Sequence, residues 1–394
     1  MDVSFFIASR LRFKGKIITA AISISFLVMI IAVAVSSGFR NEVRKGISTL
    51  NGDVQLTSPD LNVLKSSPID GNPSYLGEVM ELEGVESVIP AVYKAGIVKE
   101  DSQIHGVLFK GLPREDITYM SKDDSTLLAV AIPSRLAELS GLKTGDKMLT
   151  YFIGEKVRLR QFNVVSVYDE LLEADNRMMV YADMSDLQRL EGWNEDDVSA
   201  LEVIVSSDCR DEDRLREITS EIGFMASVYS EDSDRPVVAY SAVSRYRQLF
   251  DWLDLIDFNV VFILILMTLV AGFNMISGLL IMLFENISTI GLLKSLGMTD
   301  RGIAKTFLSS SAVLMLKGMF IGNLTAFAFC LIQGTTHILK LDPENYFVSF
   351  VPVHLDMGLI LAADLVAFTV IMLLLLIPCL FISRVDPSET VRVR

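Results

Sequence analysis

The chain has 394 residues, of which 51% are hydrophobic types, and a formal net charge of −14 at pH 7. This acidic balance disfavours a nucleic-acid partner. The sequence has only three histidines and no G-x-x-x-x-G-K-[ST], H-E-x-x-H or G-x-S-x-G motif. We therefore predict no catalytic residue, no metal site and no cofactor bound by the chain itself.

Four long apolar segments predict an integral membrane protein with four transmembrane helices. Residues 17–39 and 258–284 contain no charged side chain, and residues 306–332 and 357–382 contain one each. Each segment exceeds the roughly 20 residues that an α-helix needs to cross a bilayer. The alternative for the first segment is a cleaved signal peptide, but its apolar run exceeds the roughly 7–15 residues of such signals.

The charge pattern predicts that both termini are cytoplasmic. Residues 1–16, 285–305 and 383–394 together carry ten basic and five acidic side chains, and an excess of Lys and Arg in short loops marks the cytoplasmic side. The large block of residues 40–257 is acidic, with 23 Lys or Arg against 40 Asp or Glu. We expect this block outside the membrane as one domain, with residues 333–356 as a short external loop.

The external block predicts an α+β domain. Short runs rich in β-branched and aromatic residues predict strands; they are Gly52–Thr57, Gly96–Val98, Gly106–Leu112, Lys147–Ile153, Val157–Tyr168, Arg177–Tyr181 and Ala200–Val205. Gly154-Glu155 predicts a hairpin turn between two of them. Helices are expected after Ser74, Ser134 and Asp211, which are suited to capping. Cys209 is the lone external cysteine, so the domain must fold without an internal disulfide.

The link between the second and third segments predicts a short helix at the inner membrane surface. Ile287, Ile290 and Lys294 share one helical face, whereas Leu292 and Leu296 pair on another. Gly297 is suited to end this helix, and Thr299 to begin the next one. The alternative is a connecting loop that binds no partner.

The sequence from Ala271-Gly-Phe-Asn-Met to Leu280, followed by Glu285 and Ile290-Gly-Leu-Leu-Lys-Ser-Leu-Gly297, resembles the FtsX-type permease domain. Within that superfamily the chain is most similar to the LolC/LolE family of lipoprotein-releasing ABC transporter permeases. The resemblance extends to these further segments: Phe6–Arg12 to an N-terminal amphipathic helix, Gly38–Glu42 to the outer end of the first span, Leu136–Asp146 and Phe162–Asp175 to the MacB-like periplasmic core, and Ser383–Glu389 to the C-terminus.

The resemblance implies a permease in the bacterial inner membrane with its large domain in the periplasm. It also implies a separate ABC ATPase that binds ATP and Mg²⁺, a second permease subunit in a homo- or heterodimer, a lipoprotein substrate and contact with membrane lipids. The expected ATPase-coupling residues are Glu285, Ile287, Ile290, Gly291, Leu292, Lys294, Leu296 and Gly297. The expected function is mechanical coupling of ATP hydrolysis to lipoprotein release. The alternative is an FtsX/MacB-type mechanotransmitter for another amphiphile or for activation of a cell-wall hydrolase.

The chain departs from the family in one external loop. In LolC a longer, proline-containing loop captures a soluble periplasmic lipoprotein carrier, whereas Tyr151–Arg158 is short and lacks proline. Docking of a carrier on this subunit is therefore open, and a LolE-like or undivided subunit is the alternative.

Two charges fall inside predicted spans, where charges are costly. Lys317 and Asp364 lie at similar predicted depths, and we expect them to pair across the third and fourth helices. The alternative is that Lys317 reaches the interface, while Asp364 faces water or is protonated.

An acyl chain leaving the outer leaflet needs an apolar wall near the outer ends of the first two spans. The predicted lipid-access residues are Val35, Phe39, Val43, Leu255, Phe258, Phe262 and Leu266. Their spacing places each set on one helical face. The alternative is that they are ordinary packing or dimer-contact residues.

Overall fold

The computed structural model describes residues 16–60, 67–100, 103–121, 126–153, 157–169, 178–231, 234–342 and 346–379. The predicted N-terminal amphipathic helix, the tail of residues 383–394 and the turn at Gly154-Glu155 lie outside these ranges.

The helices in chain order are α1 (Lys16–Asn51), α2 (Leu76–Met80), α3 (Ser134–Ser140), α4 (Met184–Glu191), α5 (Glu212–Val228), α6 (Ala242–Arg245), α7 (Arg247–Glu285), α8 (Ile287–Ser295), α9 (Asp300–Thr336), α10 (Met357–Leu374) and α11 (Leu376–Cys379). The strands are β1 (Val54–Thr57), β2 (Ile69–Asp70), β3 (Val85–Glu100), β4 (Gln103–Leu112), β5 (Ala129–Pro133), β6 (Lys147–Phe152), β7 (Arg158–Tyr168), β8 (Met178–Asp183), β9 (Asp197–Val198), β10 (Ala200–Val205) and β11 (Val238–Ser241).

Two compact units make up the chain. The helical unit comprises the chain up to Asn41, Asp251–Lys340 and the chain from Phe350 onward. The α+β unit comprises Glu42–Phe250 together with Leu341–Ser349. The helices α1 and α7 each begin in one unit and end in the other, without a break in the helix.

The described residues include four helices that are long and apolar enough to cross a membrane: α1, α7, α9 and α10 with α11. The first three extend beyond the predicted spans, because backbone hydrogen bonding continues into the polar flanks once a helix has formed. The fourth is interrupted at Leu375, between α10 and α11. Pro378 explains the interruption, since it has no N–H to donate to the carbonyl four residues earlier.

Helices α1 and α9 approach closely at two glycines of α9. A Cβ placed on Gly322 would lie 2.6 Å from the carbonyl oxygen of Ser23, and one on Gly318 would lie 2.7 Å from Ile22. Ala326 continues this stripe of small residues and is fully buried. Small residues at spacings of four allow helix backbones to pack closely in lipid, where the hydrophobic effect does not drive association.

We expect Gly322→Ala to destabilise the helical unit by about 1–3 kcal/mol, because the added methyl would meet a backbone carbonyl that cannot move aside easily. The measurement is the thermal midpoint of the detergent-purified protein. Gly334→Ala is the matched control on the same helix, since its Cβ would meet only Val353 at 3.5 Å. Equal midpoints for the two variants would contradict close packing of α1 and α9.

The α+β unit is built on a nine-stranded sheet in the order β11-β1-β10-β3-β4-β8-β5-β7-β6. The long strand β3 also pairs with β6, through Ile97 with Tyr151 and Val98 with Thr150. This second pairing closes six strands into a barrel, in the order β3-β4-β8-β5-β7-β6. Phe109, Phe152 and Phe162 are buried and in mutual ring contact, with Phe109 5.0 Å from each of the other two.

Most predicted strands of the α+β unit are confirmed, and Ala200–Val205 has its predicted bounds. The predicted helix starts are less accurate. Ser134 is the first residue of α3, whereas Pro133 occupies the capping position. Ser74 does not cap α2, because Tyr75 occupies the capping position. The Ser74 hydroxyl instead donates to the Tyr229 carbonyl at 2.7 Å. Asp211 does precede α5, without a capping bond from its side chain.

Candidate membrane cleft and linking helix

A cleft of about 730 Å³ lies in the helical unit among α1, α7 and α10. Each helix contributes residues at spacings of three and four, so each presents a single face to the cleft. The lining residues are Met29, Val33, Ser36, Ser37 and Arg40 of α1; Asp257, Val260, Val261, Leu264, Ile265, Thr268 and Leu269 of α7; and Leu359, Ala362, Ala363, Val366, Ala367 and Val370 of α10. The volume is within the roughly 300–1,000 Å³ of small-molecule sites.

The cleft extends along the helices for about half of a membrane. On α1 its lining runs from Met29 to Arg40, and on α10 from Leu359 to Val370. At 1.5 Å per residue, each of these runs is about 16 Å long. That length is about half of a hydrocarbon core roughly 30 Å thick. Because α10 begins at Met357, directly after the loop predicted to be external, the cleft lies in the half of the helical unit nearer that loop.

The walls of the cleft are apolar and its charged groups lie at one end. There the Arg40 guanidinium donates to the Asp257 carboxylate and, at 3.3 Å, to Asp254. The Ser36 hydroxyl donates to the other oxygen of Asp257. About a third of the Arg40 and Asp257 side chains is exposed, so this ion pair borders solvent rather than the interior. The cleft therefore has the two-part chemistry of an amphiphile site, with an apolar length and a charged mouth.

The same end of α1 is also held by the loop that precedes α10, in the same helical unit. The Ser37 hydroxyl donates to the His354 carbonyl at 2.7 Å, and the His354 N–H donates to the Ala34 carbonyl at 2.9 Å. Gly38 admits this loop, because a Cβ there would lie 2.4 Å from the Pro352 carbonyl oxygen. A side chain at this position would push the loop and α1 apart.

None of the predicted lipid-access residues lines the cleft. Phe39 is buried with its ring edge against Trp252, at a centroid distance of 5.7 Å. Val43 is fully buried and Val35 is half-buried. On α7 the exposed members are Leu255, Phe258, Phe262 and Leu266. The prediction relied on large side chains at helical spacing, and on α7 these lie on a different face from the cleft. It did not include the small residues of α10 that leave room for the cleft.

Lys317 and Asp364 are both described, and they do not form the predicted ion pair, so this prediction is wrong. Asp364 is buried and instead accepts a hydrogen bond from the Asn323 side-chain amide at 2.6 Å. Lys317 is exposed and precedes Asn323 by six residues. It therefore lies about 9 Å nearer the start of α9 than Asn323 and roughly 240° away from it around the helix axis. Depth along a helix does not determine which face a side chain lies on, and it did not reveal that the Asn323 amide is available to bond to Asp364.

The link between α7 and α9 contains the predicted short helix, α8. Ile290 is buried in the apolar core of the helical unit, where Leu293 and Met298 also pack. The C-terminus has the predicted glycine, because Gly297 adopts a φ of +88°, a left-handed conformation that ends helices. Thr299 then caps α9 by accepting from the Gly302 N–H at 3.3 Å. The link is thus a folded helix anchored to the membrane spans.

The outward side of α8 presents leucine side chains. Leu292 is 55% exposed and Leu296 is 75% exposed, whereas Gly291 is buried. Lys294 is mostly covered and forms an ion pair with Asp300 at 2.9 Å. Of the predicted coupling residues, the two leucines, Glu285, Ile287 and Gly297 are exposed and therefore available to a partner. Lys294 instead helps to fix α8 against the start of α9.

Comparison with known proteins agrees with this architecture. Residues 261–387 match a family model described as FtsX-like permease C-terminal. The chain is 22% identical to "Lipoprotein-releasing system transmembrane protein LolC" of Neisseria meningitidis serogroup B, over 97% of this chain and 94% of that protein. It is 18% identical to a protein of the same name from Xylella fastidiosa, over 94% of this chain and 92% of that protein. The solved periplasmic region of MacB from Actinobacillus actinomycetemcomitans is 13% identical, covers 52% of this chain and 95% of its own, and gives a TM-score of 0.33.

Proposed function

We propose that this chain, which is a LolC/FtsX-like permease, extracts lipoproteins from the outer leaflet of the bacterial inner membrane, driven by a separate ABC ATPase. Its likeness to lipoprotein-releasing proteins extends over almost the entire chain. The structural observation that carries the proposal is the cleft among α1, α7 and α10, which combines apolar walls with a charged mouth.

The shape of the cleft fits a lipid-anchored protein. An acyl chain in one leaflet needs an apolar surface about half a membrane long, which the cleft supplies. The attached polypeptide and its linkage are polar, so they need hydrogen-bonding groups at the water-facing end. Arg40, Asp257 and Ser36 supply both donors and acceptors there. Because these side chains pair with one another, the linkage would compete with the ion pair between Arg40 and Asp257 when it binds.

The cytoplasmic side supplies the connection to ATP hydrolysis. Leu292 on α8 and Leu296 at its C-terminal end are an exposed apolar pair, and Ile290 anchors the helix, so a groove on the ATPase would cover the two leucines. Nucleotide-driven movement of the ATPase would then displace α8 together with α7 and α9, which flank it in the chain. Movement of α7 relative to α1 and α10 would narrow the cleft and expel the acyl chain.

Two other partners complete the proposal. A second permease subunit, identical or different, would cover apolar surface of α7 such as Phe258, Phe262 and Phe273, which is exposed in the single chain and does not line the cleft. A periplasmic carrier would accept the released acyl chains, and it docks either on this chain or on the second subunit.

The related alternative is a mechanotransmitter for another amphiphile or for a cell-wall hydrolase. The cleft favours an amphiphile, since activation of a soluble hydrolase needs no apolar site within the membrane. Lipid and protein analysis of the bound material distinguishes a lipoprotein substrate from another amphiphile.

The test is affinity purification of the native complex in mild detergent, followed by mass spectrometry. We expect an ABC ATPase and an acylated protein to co-purify, and the acylated protein to dissociate when ATP and Mg²⁺ are added. A complex that holds its ATPase but carries only a non-protein amphiphile would contradict lipoprotein extraction and support the alternative.

A further inference from the structure

The last carbonyl groups of α1 are capped by a buried lysine of the α+β unit. The final C=O groups of a helix have no partner within the helix and must be satisfied elsewhere. The Lys110 ammonium of β4 donates to the Leu50 carbonyl at 2.9 Å and to the Thr49 carbonyl at 3.2 Å. All these groups belong to the α+β unit, and α1 continues from them without interruption toward the membrane.

The charge of Lys110 is balanced by a buried glutamate. Its ammonium lies 2.8 Å from a Glu202 carboxylate oxygen of β10, and the two side chains are only 2% and 3% exposed. The Tyr93 hydroxyl, on the intervening strand β3, donates to the other Glu202 oxygen. Burial and the Glu202 carboxylate raise the pKa of Tyr93 well above its ordinary value, so its hydroxyl remains a donor. Three neighbouring strands thus hold one helix end.

The same network reaches the start of α7. Asn51 is the last residue of α1, and its side-chain oxygen is in contact with the Tyr93 hydroxyl at 3.1 Å, although the proton of that hydroxyl is donated to Glu202. The Asn51 amide donates to the hydroxyl of Tyr246, which directly precedes α7. The two helices that join the α+β unit to the spans therefore meet in one hydrogen-bonded cluster.

Stability alone does not explain this arrangement. Burying an ion pair is costly, and apolar residues of similar volume often serve as well or better. What a bonded cluster adds is a defined geometry, because each partner fixes the position of the next. Lys110, Glu202 and Tyr93 hold the end of α1 at one place on the sheet. The Asn51 amide at that end bonds to Tyr246, directly before α7.

We propose that Lys110, Glu202 and Tyr93 are positioning residues that transmit movement of α1 and α7 to the α+β unit during transport. The inference rests on the proposed function for its transport readout. Its structural readout, the response of the α+β unit to nucleotide, does not depend on the substrate.

The test variant is Lys110→Met combined with Glu202→Leu, which removes both charges and keeps the volume. The matched control is Lys94→Met combined with Glu191→Leu. Lys94 and Glu191 form another largely buried ion pair of the same unit, at 2.9 Å, between β3 and α4. Tyr93→Phe is a milder third variant, which removes only one hydroxyl.

Each variant is purified with its ATPase and reconstituted with a fluorescent triacylated lipoprotein. We expect the lipoprotein released per ATP hydrolysed to fall roughly tenfold in the Lys110/Glu202 variant, less in Tyr93→Phe, and little in the control. Wild-type coupling in the Lys110/Glu202 variant, or an equal loss in the control, would overturn the proposal.

Hydrogen–deuterium exchange provides the second readout. We expect nucleotide to change amide exchange in the α+β unit of the wild type and the control, but not of the Lys110/Glu202 variant. The amide of Gly52, which bonds to the Ser48 carbonyl at 2.8 Å, should exchange faster in that variant. An unchanged nucleotide response in the Lys110/Glu202 variant would refute the proposed role of these residues in transmitting movement. A wild type that releases no lipoprotein yet shows this response would refute only the proposed function.

Discussion

Replacing Leu292 or Leu296 by Asp is expected to abolish association with the ATPase and therefore transport. Leu292 on α8 and Leu296 directly after it are both more than half exposed, so the substitution leaves the core of the helical unit intact. In a complex they would be buried, and a carboxylate buried there without a partner would cost several kcal/mol. Co-purification of the ATPase with the tagged permease is the measurement.

Leu292→Met is the control, because it retains an apolar side chain of similar size and should retain the ATPase. Membrane insertion and the thermal midpoint should match the wild type in all these variants. An Asp variant that keeps its ATPase and its transport activity would show that α8 is not the coupling helix.

Filling the cleft should block transport. Ala363→Phe places a large ring among α1, α7 and α10, where the small side chain now leaves space. Because the ring would occupy the volume needed by an acyl chain, we expect lipoprotein release to fall at least roughly tenfold. The purified complex should still assemble with its ATPase, and release is measured from proteoliposomes.

Leu365→Phe tests whether a bulky aromatic ring on α10 is harmful in itself. Leu365 is exposed and does not line the cleft, yet it lies only two residues from Ala363. Its variant should transport normally. Equal loss in both variants would indicate a packing defect, and no loss in Ala363→Phe would exclude the cleft as the acyl-chain site.

The membrane spans and α8 were accessible from sequence because their signals are local. A run of apolar residues identifies a span, and Gly297 and Thr299 act on their own backbone neighbours. The strands of the α+β unit were located for a similar reason. The pairing of β3 with β6 could not be predicted from local signals, since closure of the barrel depends on contacts between segments far apart in the chain.

The cleft needed three helices to be placed together. Arg40 and Asp257 are ordinary flanking charges in the sequence, and only the packing of α1 against α7 brings them into contact. A usable signal was present in α10, where Ala362, Ala363 and Ala367 share one side of an otherwise bulky helix. A prediction based only on large side chains did not include these alanines. Asp364 illustrates the same limit, since depth along a helix does not determine the direction of a side chain.

The most direct test of the account is crosslinking from the cleft. A cysteine at Val366, which lines the cleft, and one at the adjacent Leu365, which does not, each carry a photoreactive group in the native complex. We predict that Val366 captures an acylated protein in the nucleotide-free state and loses it when ATP is bound, while Leu365 captures lipid in both states. Capture of the acylated protein from Leu365 but not from Val366, or no response to ATP at Val366, would contradict lipoprotein extraction through this cleft.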